Sequence, residues 1–256
     1  LPVTKLNSLT YLNLRYNNLK NFPDFTVIAP NLTGLLLSRN PFYLSETISE
    51  RKLTSTIINK IPAGLTRLDL PGSFYGSIDP NLFSKFTNIT DFQLGRGGGA
   101  YFHPDGNNGN TPLPNIHDTC TTYTAYNNDF RSIASSSGDN KNIKELPNLS
   151  YLHLSSNYYL GDASFSIASS DINYINLAAT NLPIPNLANK TQLQNAYMHY
   201  MRSNGGLFSG NTYKFNNCTA LETLYLYSTN LGGQFPRFTN CLLYTSDAAD
   251  EEDSVD

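Results

Sequence analysis

Residues 9–19 read LTYLNLRYNNL and residues 149–159 read LSYLHLSSNYY, with leucine at the first, fourth and sixth positions and asparagine at the ninth. In an L-x-L segment successive side chains point to opposite faces, so both leucines lie on one face and their neighbours on the other. A strand this short cannot bury its leucine face alone. The pattern therefore predicts strands that are stable only when stacked against further copies.

Copies of the pattern L-x-x-L-x-L-x-x-N-x-L begin at residues 9, 32, 65, 89, 149, 172, 193 and 221. Four of the seven steps between these starts are 21 to 24 residues long, which fits the spacing of roughly 20–29 residues in such repeats. The asparagine is present as Asn17, Asn40 and Asn157. Turned inward, it can bond backbone groups that the turn after the strand leaves unpaired.

On these copies, residues 1–240 resemble a leucine-rich-repeat protein of about eight repeats. The resemblance implies an α/β solenoid, mostly β, shaped as a horseshoe with a parallel concave sheet and an irregular, extended or short-helical convex side. Prolines recur in the returning segments, as at Pro23, Pro183 and Pro185, and they favour extended or one-turn segments there. Residues 45–60 are where a longer helix is expected.

The step of 60 residues between the copies at Ile89 and Leu149 is much longer than the others. We interpret it as an insertion near residues 98–145, rich in Gly, Asn, Ser and Thr. Its aromatic residues Tyr123, Tyr126 and Phe130 favour a partly ordered flap, because they provide apolar surface to bury.

Residues 241–251, CLLYTSDAADE, resemble the translation of a transposase adaptor used in sequencing libraries. We therefore expect residues 241–256 to be a non-native, disordered tail, although Cys241 also fits a Phe-x-x-Cys echo of Cys218. The tail holds six acidic residues and no basic one. The rest of the chain has fourteen acidic and seventeen basic residues, a net charge of +3. The acidity of the whole chain then comes from the tail.

Composition excludes several classes of function. No apolar run approaches the roughly 18 residues of a membrane span, and the charge is too small and scattered to indicate nucleic acid as a partner. We predict no enzymatic activity and no cofactor, because no triad or phosphate-loop spacing occurs. We predict no metal either, because five candidate ligands lack metal-site spacing: His103, Asp105, His117, Asp118 and Cys120. Cys120 and Cys218 either pair or remain separate thiols, and we favour separate thiols with Cys218 buried.

The residues that flank each strand leucine are predicted to face the concave surface in three columns. In the C-terminal half these columns are rich in tyrosine, a large rigid side chain with one hydroxyl that is typical of binding surfaces. Strand propensity alone also enriches tyrosine, so a purely structural role is the alternative. The predicted ligand-binding residues are Tyr11, Asn13, Arg15, Tyr151, His153, Tyr174, Asn176, Tyr197, His199, Tyr200, Tyr225 and Tyr227.

These observations predict a non-enzymatic recognition module that binds a protein or a glycan on its concave sheet. One alternative is a structural or adhesive spacer within a larger surface or virion protein. Another is the recognition domain of a larger enzyme. The sequence leaves the compartment open and slightly favours an extracellular or surface-exposed location.

Overall fold

The computed structural model describes residues 4–42, 52–72, 74, 78–95, 111–201, 214–229 and 241. Its main feature is a nine-stranded sheet in which all neighbouring strands are parallel. In chain order the elements are β1 (Tyr11–Asn13), α1 (Phe25–Ile28), β2 (Gly34–Leu36), α2 (Ser55–Ile58), β3 (Arg67–Leu70), β4 (Asp91–Leu94), β5 (Pro112–Leu113), β6 (Ile116–His117), β7 (Thr122–Thr124), β8 (Ser132–Ile133), β9 (Asn140–Lys141), β10 (Tyr151–His153), β11 (Tyr174–Asn176), β12 (Asn195–Tyr197) and β13 (Thr223–Tyr225). The main sheet runs β1-β2-β3-β4-β7-β10-β11-β12-β13. The predicted solenoid with a parallel sheet is confirmed.

Each strand of the main sheet, together with its connecting coil, is called a rung here, and the rungs are numbered one to nine in chain order. The central apolar residues of neighbouring strands pair in register from rung to rung. Leu35, Leu68 and Leu152 in this row are completely buried. Leu12 of rung one and Leu224 of rung nine are partly buried and pack against the same core. One continuous apolar core therefore runs along the stack.

The prediction of an insertion over residues 98–145 is wrong for its described part, residues 111–145. Within it, β7 lies between β4 and β10 and pairs with both, so it forms rung five of the main sheet. The described part of the chain thus has nine rungs, where about eight repeats were predicted. Residues 98–110 lie outside the described part of the chain.

The asparagines after the strands do what the pattern predicts. Asn157 is buried, and its Nδ2 donates to the carbonyls of Ala125 (2.8 Å) and Leu154 (2.7 Å), while its Oδ1 accepts from the Phe130 amide (3.3 Å). Asn40 makes the equivalent set of bonds in rung two, to Leu14, Leu37 and Leu19. Because each amide joins two rungs, these residues stabilise the stack as well as the turn.

A row of hydroxyl groups lies along one edge of the sheet, one position before the strand in each of rungs two to six. The hydroxyls of Thr33, Thr66, Thr90 and Thr121 each donate to the carbonyl of the equivalent residue on the preceding rung, at 3.1–3.2 Å. Ser150 continues the row at 3.1 Å. Threonine thus recurs here because its side chain repeats the bond that the backbone amide makes to the same carbonyl.

The convex side is short-helical and irregular, as predicted. Helix α1 begins after Asp24, whose carboxylate accepts from the Thr26 amide at 3.1 Å, and it buries Phe25. Within residues 45–60 the described part, 52–60, forms only the four-residue helix α2, which buries Ile57 and Ile58. Two small sheets, β5 with β8 and β6 with β9, accompany rung five.

The residue before the asparagine position adopts a left-handed backbone in seven rungs: Tyr16, Arg39, Asn127, Ser156, Ala179, Tyr200 and Ser228. Residues with a Cβ lose about 1–2 kcal/mol in this conformation. In five of these residues the backbone amide donates to a carbonyl of the next rung, as when the Ala179 amide donates to the His199 carbonyl at 2.9 Å, and these bonds stabilise the turn. Backbone hydrogen bonding therefore continues past the end of each strand.

Replacing Ala179 with glycine is expected to stabilise the protein by about 0.5–1 kcal/mol, because relief of the left-handed strain exceeds the entropy that glycine adds to the unfolded chain. Ala178→Gly is the matched control, since Ala178 is adjacent but has no left-handed backbone. The free energy of unfolding of this control, measured in urea, should fall by about 1 kcal/mol. Equal losses in both variants would contradict the assigned backbone at position 179.

Candidate ligand-binding face

The predicted concave columns lie on one face of the sheet. In β10, β11 and β12 the central residue is buried and the two flanking residues are half-buried. Register places Tyr151 beside Tyr174, and Asn176 beside Tyr197. The alternation expected from the leucine spacing is therefore present in these rungs.

Rungs five to nine carry a connected set of aromatic side chains on this face, which we call the aromatic ladder: Tyr126, Tyr151, His153, Tyr174, Tyr197, His199, Tyr200, Tyr225 and Tyr227. Tyr151 and Tyr174 stack face to face with centroids 4.2 Å apart and planes 4° apart. The Tyr174 and Tyr197 centroids are 5.5 Å apart, and the Tyr197 and Tyr225 rings meet nearly at right angles at 5.0 Å. Such contacts hold the rings in defined positions before any ligand binds.

His199 lies within the C-terminal end of the aromatic ladder. Its ring stacks on Tyr227 with centroids 4.6 Å apart and planes 12° apart, and it meets Tyr200 edge to face at 5.6 Å. Desolvation by these neighbours lowers the pKa of His199 below its ordinary value. The imidazole is therefore neutral at physiological pH, so this end of the ladder carries no charge.

The ladder reaches solvent most strongly at its C-terminal end. Tyr200, Tyr225 and Tyr227 are 54%, 47% and 51% exposed, whereas Tyr151, Tyr174 and Tyr197 are half-buried. The Tyr151 and Tyr174 rings stack across strands and cover each other's faces, whereas Tyr225 and Tyr227 keep about half of their surface exposed. The surface can therefore offer both apolar contact and hydrogen bonds.

The N-terminal half of the same face is ionic. Arg15 on rung one forms an ion pair with the buried Asp69 on rung three, and its Nη2 donates to Gln93 Oε1 on rung four at 3.2 Å. Arg67 and Asp91 form a second ion pair at 2.8 Å, and Gln93 Nε2 donates to Asp91 at 2.9 Å. The two arginines and two aspartates thus balance each other across four rungs.

This network divides the predicted site residues into two groups. The Arg15 side chain bonds Asp69 and Gln93 of the same chain. Asn13 Oδ1 accepts a hydrogen bond from the backbone amide of Arg15 at 3.1 Å. Tyr11 is exposed and covers Gly34, where a Cβ would lie 2.4 Å from its ring. The remaining nine predicted residues lie together in rungs six to nine.

The sequence interpretation missed three residues of this face: Thr122, Thr124 and Tyr126, all on rung five. With Gln93, Tyr151 and His153 they line a depression of about 290 Å³ between the ionic half and the aromatic ladder. The sequence carries this copy of the repeat without a single leucine, as Cys120, Tyr123, Ala125, Asn128 and Phe130. The side-chain Nδ2 of Asn128 donates to the Leu94 carbonyl at 3.2 Å, as expected for the asparagine of a repeat.

All three cysteines are described, and each is a buried free thiol, as favoured from the sequence. Cys218 donates to the Leu187 carbonyl at 3.1 Å, and Cys241 donates to the Phe215 carbonyl at 3.0 Å. Burial raises the pKa of Cys120 to about 12 and that of Cys218 to about 11. Cys241 thus repeats the position of Cys218 one coil further on, as the Phe-x-x-Cys echo suggests; residues 242–256 lie outside the described part.

Among the residues that the structure describes, no group of three or more His, Cys, Asp or Glu side chains is arranged to hold a metal ion. In the same ranges, no helix has the length and apolar character needed to span a bilayer.

No known family model matches the chain, and no curated protein matches it in sequence. Among solved structures it is similar to an LRR protein of Leptospira interrogans, with a TM-score of 0.35 and 14% sequence identity. The match covers 84% of this chain and 66% of that protein, so this chain spans slightly less than two thirds of its length.

Proposed function

We propose that this chain is a non-enzymatic recognition module that binds a protein or a glycan on its concave face, through the aromatic ladder. The observation that carries the proposal is the position of Tyr200, Tyr225 and Tyr227, which are held by ring contacts and yet remain about half exposed. Preorganised aromatic side chains are the residues that dominate binding energy in many interfaces.

The competing explanation is that the ladder only stabilises a spacer. Stacked and edge-to-face ring pairs contribute about 0.5–1.5 kcal/mol each beyond their buried area, so a structural role is real. It does not require hydroxyl groups, however, because phenylalanine rings make the same ring contacts. A recognition role uses the hydroxyl groups, since they are the only polar side-chain atoms of a tyrosine.

Two triple variants separate the explanations: Tyr174→Ala with Tyr197→Ala and Tyr225→Ala, and the same three positions changed to Phe. On glycan and peptide arrays, the alanine set should lose binding by about a hundredfold or more, because aromatic hot spots cost roughly 2 kcal/mol or more each. The phenylalanine set should keep its urea midpoint and lose part of the binding.

A spacer predicts a different outcome. The wild-type protein would then bind nothing on either array, and the alanine set would differ from it only in stability. Binding that both triple variants retain in full would place the recognition surface elsewhere.

A further inference from the structure

The concave grid of rungs six to nine carries no formal charge. Its twelve described positions hold no Asp, Glu, Lys or Arg: Tyr151, His153, Ser155, Tyr174, Asn176, Ala178, Asn195, Tyr197, His199, Thr223, Tyr225 and Tyr227. The ionic residues of the face are confined to rungs one to four, where they pair with each other. A charged partner would therefore find no complement on the aromatic half.

Rungs seven to nine repeat one chemical unit. Each pairs a tyrosine with a small uncharged hydrogen-bonding residue in the first two concave columns, which are formed by the first and the last residue of each strand: Tyr174 with Asn176, Tyr197 with Asn195, and Tyr225 with Thr223. Register aligns these pairs directly across the strands. The tyrosine moves from the first column to the second between rungs seven and eight, so the aromatic stripe runs diagonally with polar groups on both sides.

The polar members of these pairs are half-buried and retain hydrogen-bonding capacity. Asn176 Oδ1 accepts from the Ala178 amide at 3.1 Å, which fixes the amide plane and directs its Nδ2 towards the Tyr174 hydroxyl at 3.4 Å. A side-chain amide has two N–H donors. One amide and one phenol hydroxyl on the same rung can therefore bond neighbouring hydroxyls of a polyol.

Parallel strands lie about 4.8 Å apart, so the tyrosine-polar unit recurs at that spacing along the stack. The advance per sugar in an extended 1,4-linked glycan is close to this distance. A chain of pyranose rings can therefore meet one tyrosine and one polar side chain on each rung, in reversed order between rungs seven and eight. On rung nine, the apolar C–H face of a pyranose can pack against the exposed Tyr225 and Tyr227 rings. An irregular protein surface would gain nothing from such repetition.

Resting on the recognition function proposed above, we infer that the partner of rungs seven to nine is a neutral, extended 1,4-linked glycan, bound one pyranose unit per rung. The test is isothermal titration calorimetry of the full chain with neutral β-1,4-linked glucose and N-acetylglucosamine oligomers of two to six units. Affinity for at least one series should rise with length up to about three or four units and then level off, and it should change less than about twofold with added salt.

Variants make the test specific. Tyr197→Ala should weaken binding by about tenfold or more, and Tyr197→Phe by a smaller factor, since the ring remains. Tyr159→Ala is the matched control, because Tyr159 is an exposed tyrosine outside the concave columns, held by Arg131 over its ring at 4.7 Å. The control should bind as the wild type does.

Three outcomes would overturn the inference: no oligomer of either series binds, affinity does not depend on length, or Tyr197→Ala binds normally. If a peptide or protein binds instead and the alanine triple variant loses it, the recognition function stands and the glycan inference fails. If neither oligomers nor array partners bind, both fail.

Discussion

Replacing Tyr123 with alanine should destabilise the protein by about 3–5 kcal/mol, the usual loss for a large aromatic residue removed from a core. Tyr123 is fully buried on rung five, 5.4 Å from the Phe92 ring, and its hydroxyl donates to the Pro114 carbonyl at 3.0 Å. Burial also raises its pKa well above the ordinary value, so the phenol stays neutral. Urea unfolding followed by circular dichroism measures the change.

Tyr123→Phe is the matched variant. It keeps the ring and leaves the Pro114 carbonyl without its donor, so we expect a loss of about 1–2 kcal/mol. If Tyr123→Ala instead lowered the free energy of unfolding by less than about 1 kcal/mol, residues 111–145 would form a surface insertion, and rung five would not be part of the stack.

Replacing Asn157 with alanine should lower the free energy of unfolding by about 3 kcal/mol or more. The change leaves two carbonyls and one amide without the partner that joined rungs five and six, and each buried unsatisfied group costs about 1–3 kcal/mol. The same measurement, urea unfolding, applies.

Asn17→Ala is its control, because the same repeat position on rung one is exposed. Asn17 bonds only the Leu14 and Arg15 carbonyls of its own turn, at 3.0 and 3.1 Å, and water can replace these bonds. We expect the control to lose less than about 1 kcal/mol. Similar losses at positions 17 and 157 would show that the asparagines act only within their own turns.

The sequence predicted those parts of the fold that depend on local periodicity. Leucine alternation identified eight strands and, in rungs six to eight, their alternation of buried and half-buried positions. The asparagine position identified Asn40 and Asn157 as inward side chains that bond backbone groups. These predictions are correct because each rung must bury the same apolar positions and bond the same backbone groups as the rung before it. The Thr33, Thr66 and Thr90 row was equally visible, since threonine follows the first apolar residue in each of these copies.

Rung five escaped prediction because its core positions are filled by other residues. Cys120, Tyr123 and Ala125 replace three leucines, and a tyrosine is accepted there only because the Pro114 carbonyl bonds its hydroxyl. That partner is supplied by the convex side, whose path the repeat pattern does not specify.

The ion pairs on the N-terminal half of the concave face could not be predicted from the sequence either. Arg15 and Asp69 are 54 residues apart, and Arg15 and Gln93 are 78 apart. Their pairing depends on the number of rungs between them, which the spacing of the repeats does not specify. Arg15 was therefore predicted as a ligand contact, whereas the structure shows it bonded within the protein.

The most direct test of the central claim, that tyrosines of successive rungs line up outward on one face, is an NMR measurement on ring-labelled tyrosine. Nuclear Overhauser contacts should join the Tyr151 and Tyr174 rings and the Tyr197 and Tyr225 rings, while a soluble paramagnetic agent broadens the Tyr225 signals strongly. Absence of contacts between rings of neighbouring rungs, or a Tyr225 ring shielded from the agent, would contradict the account.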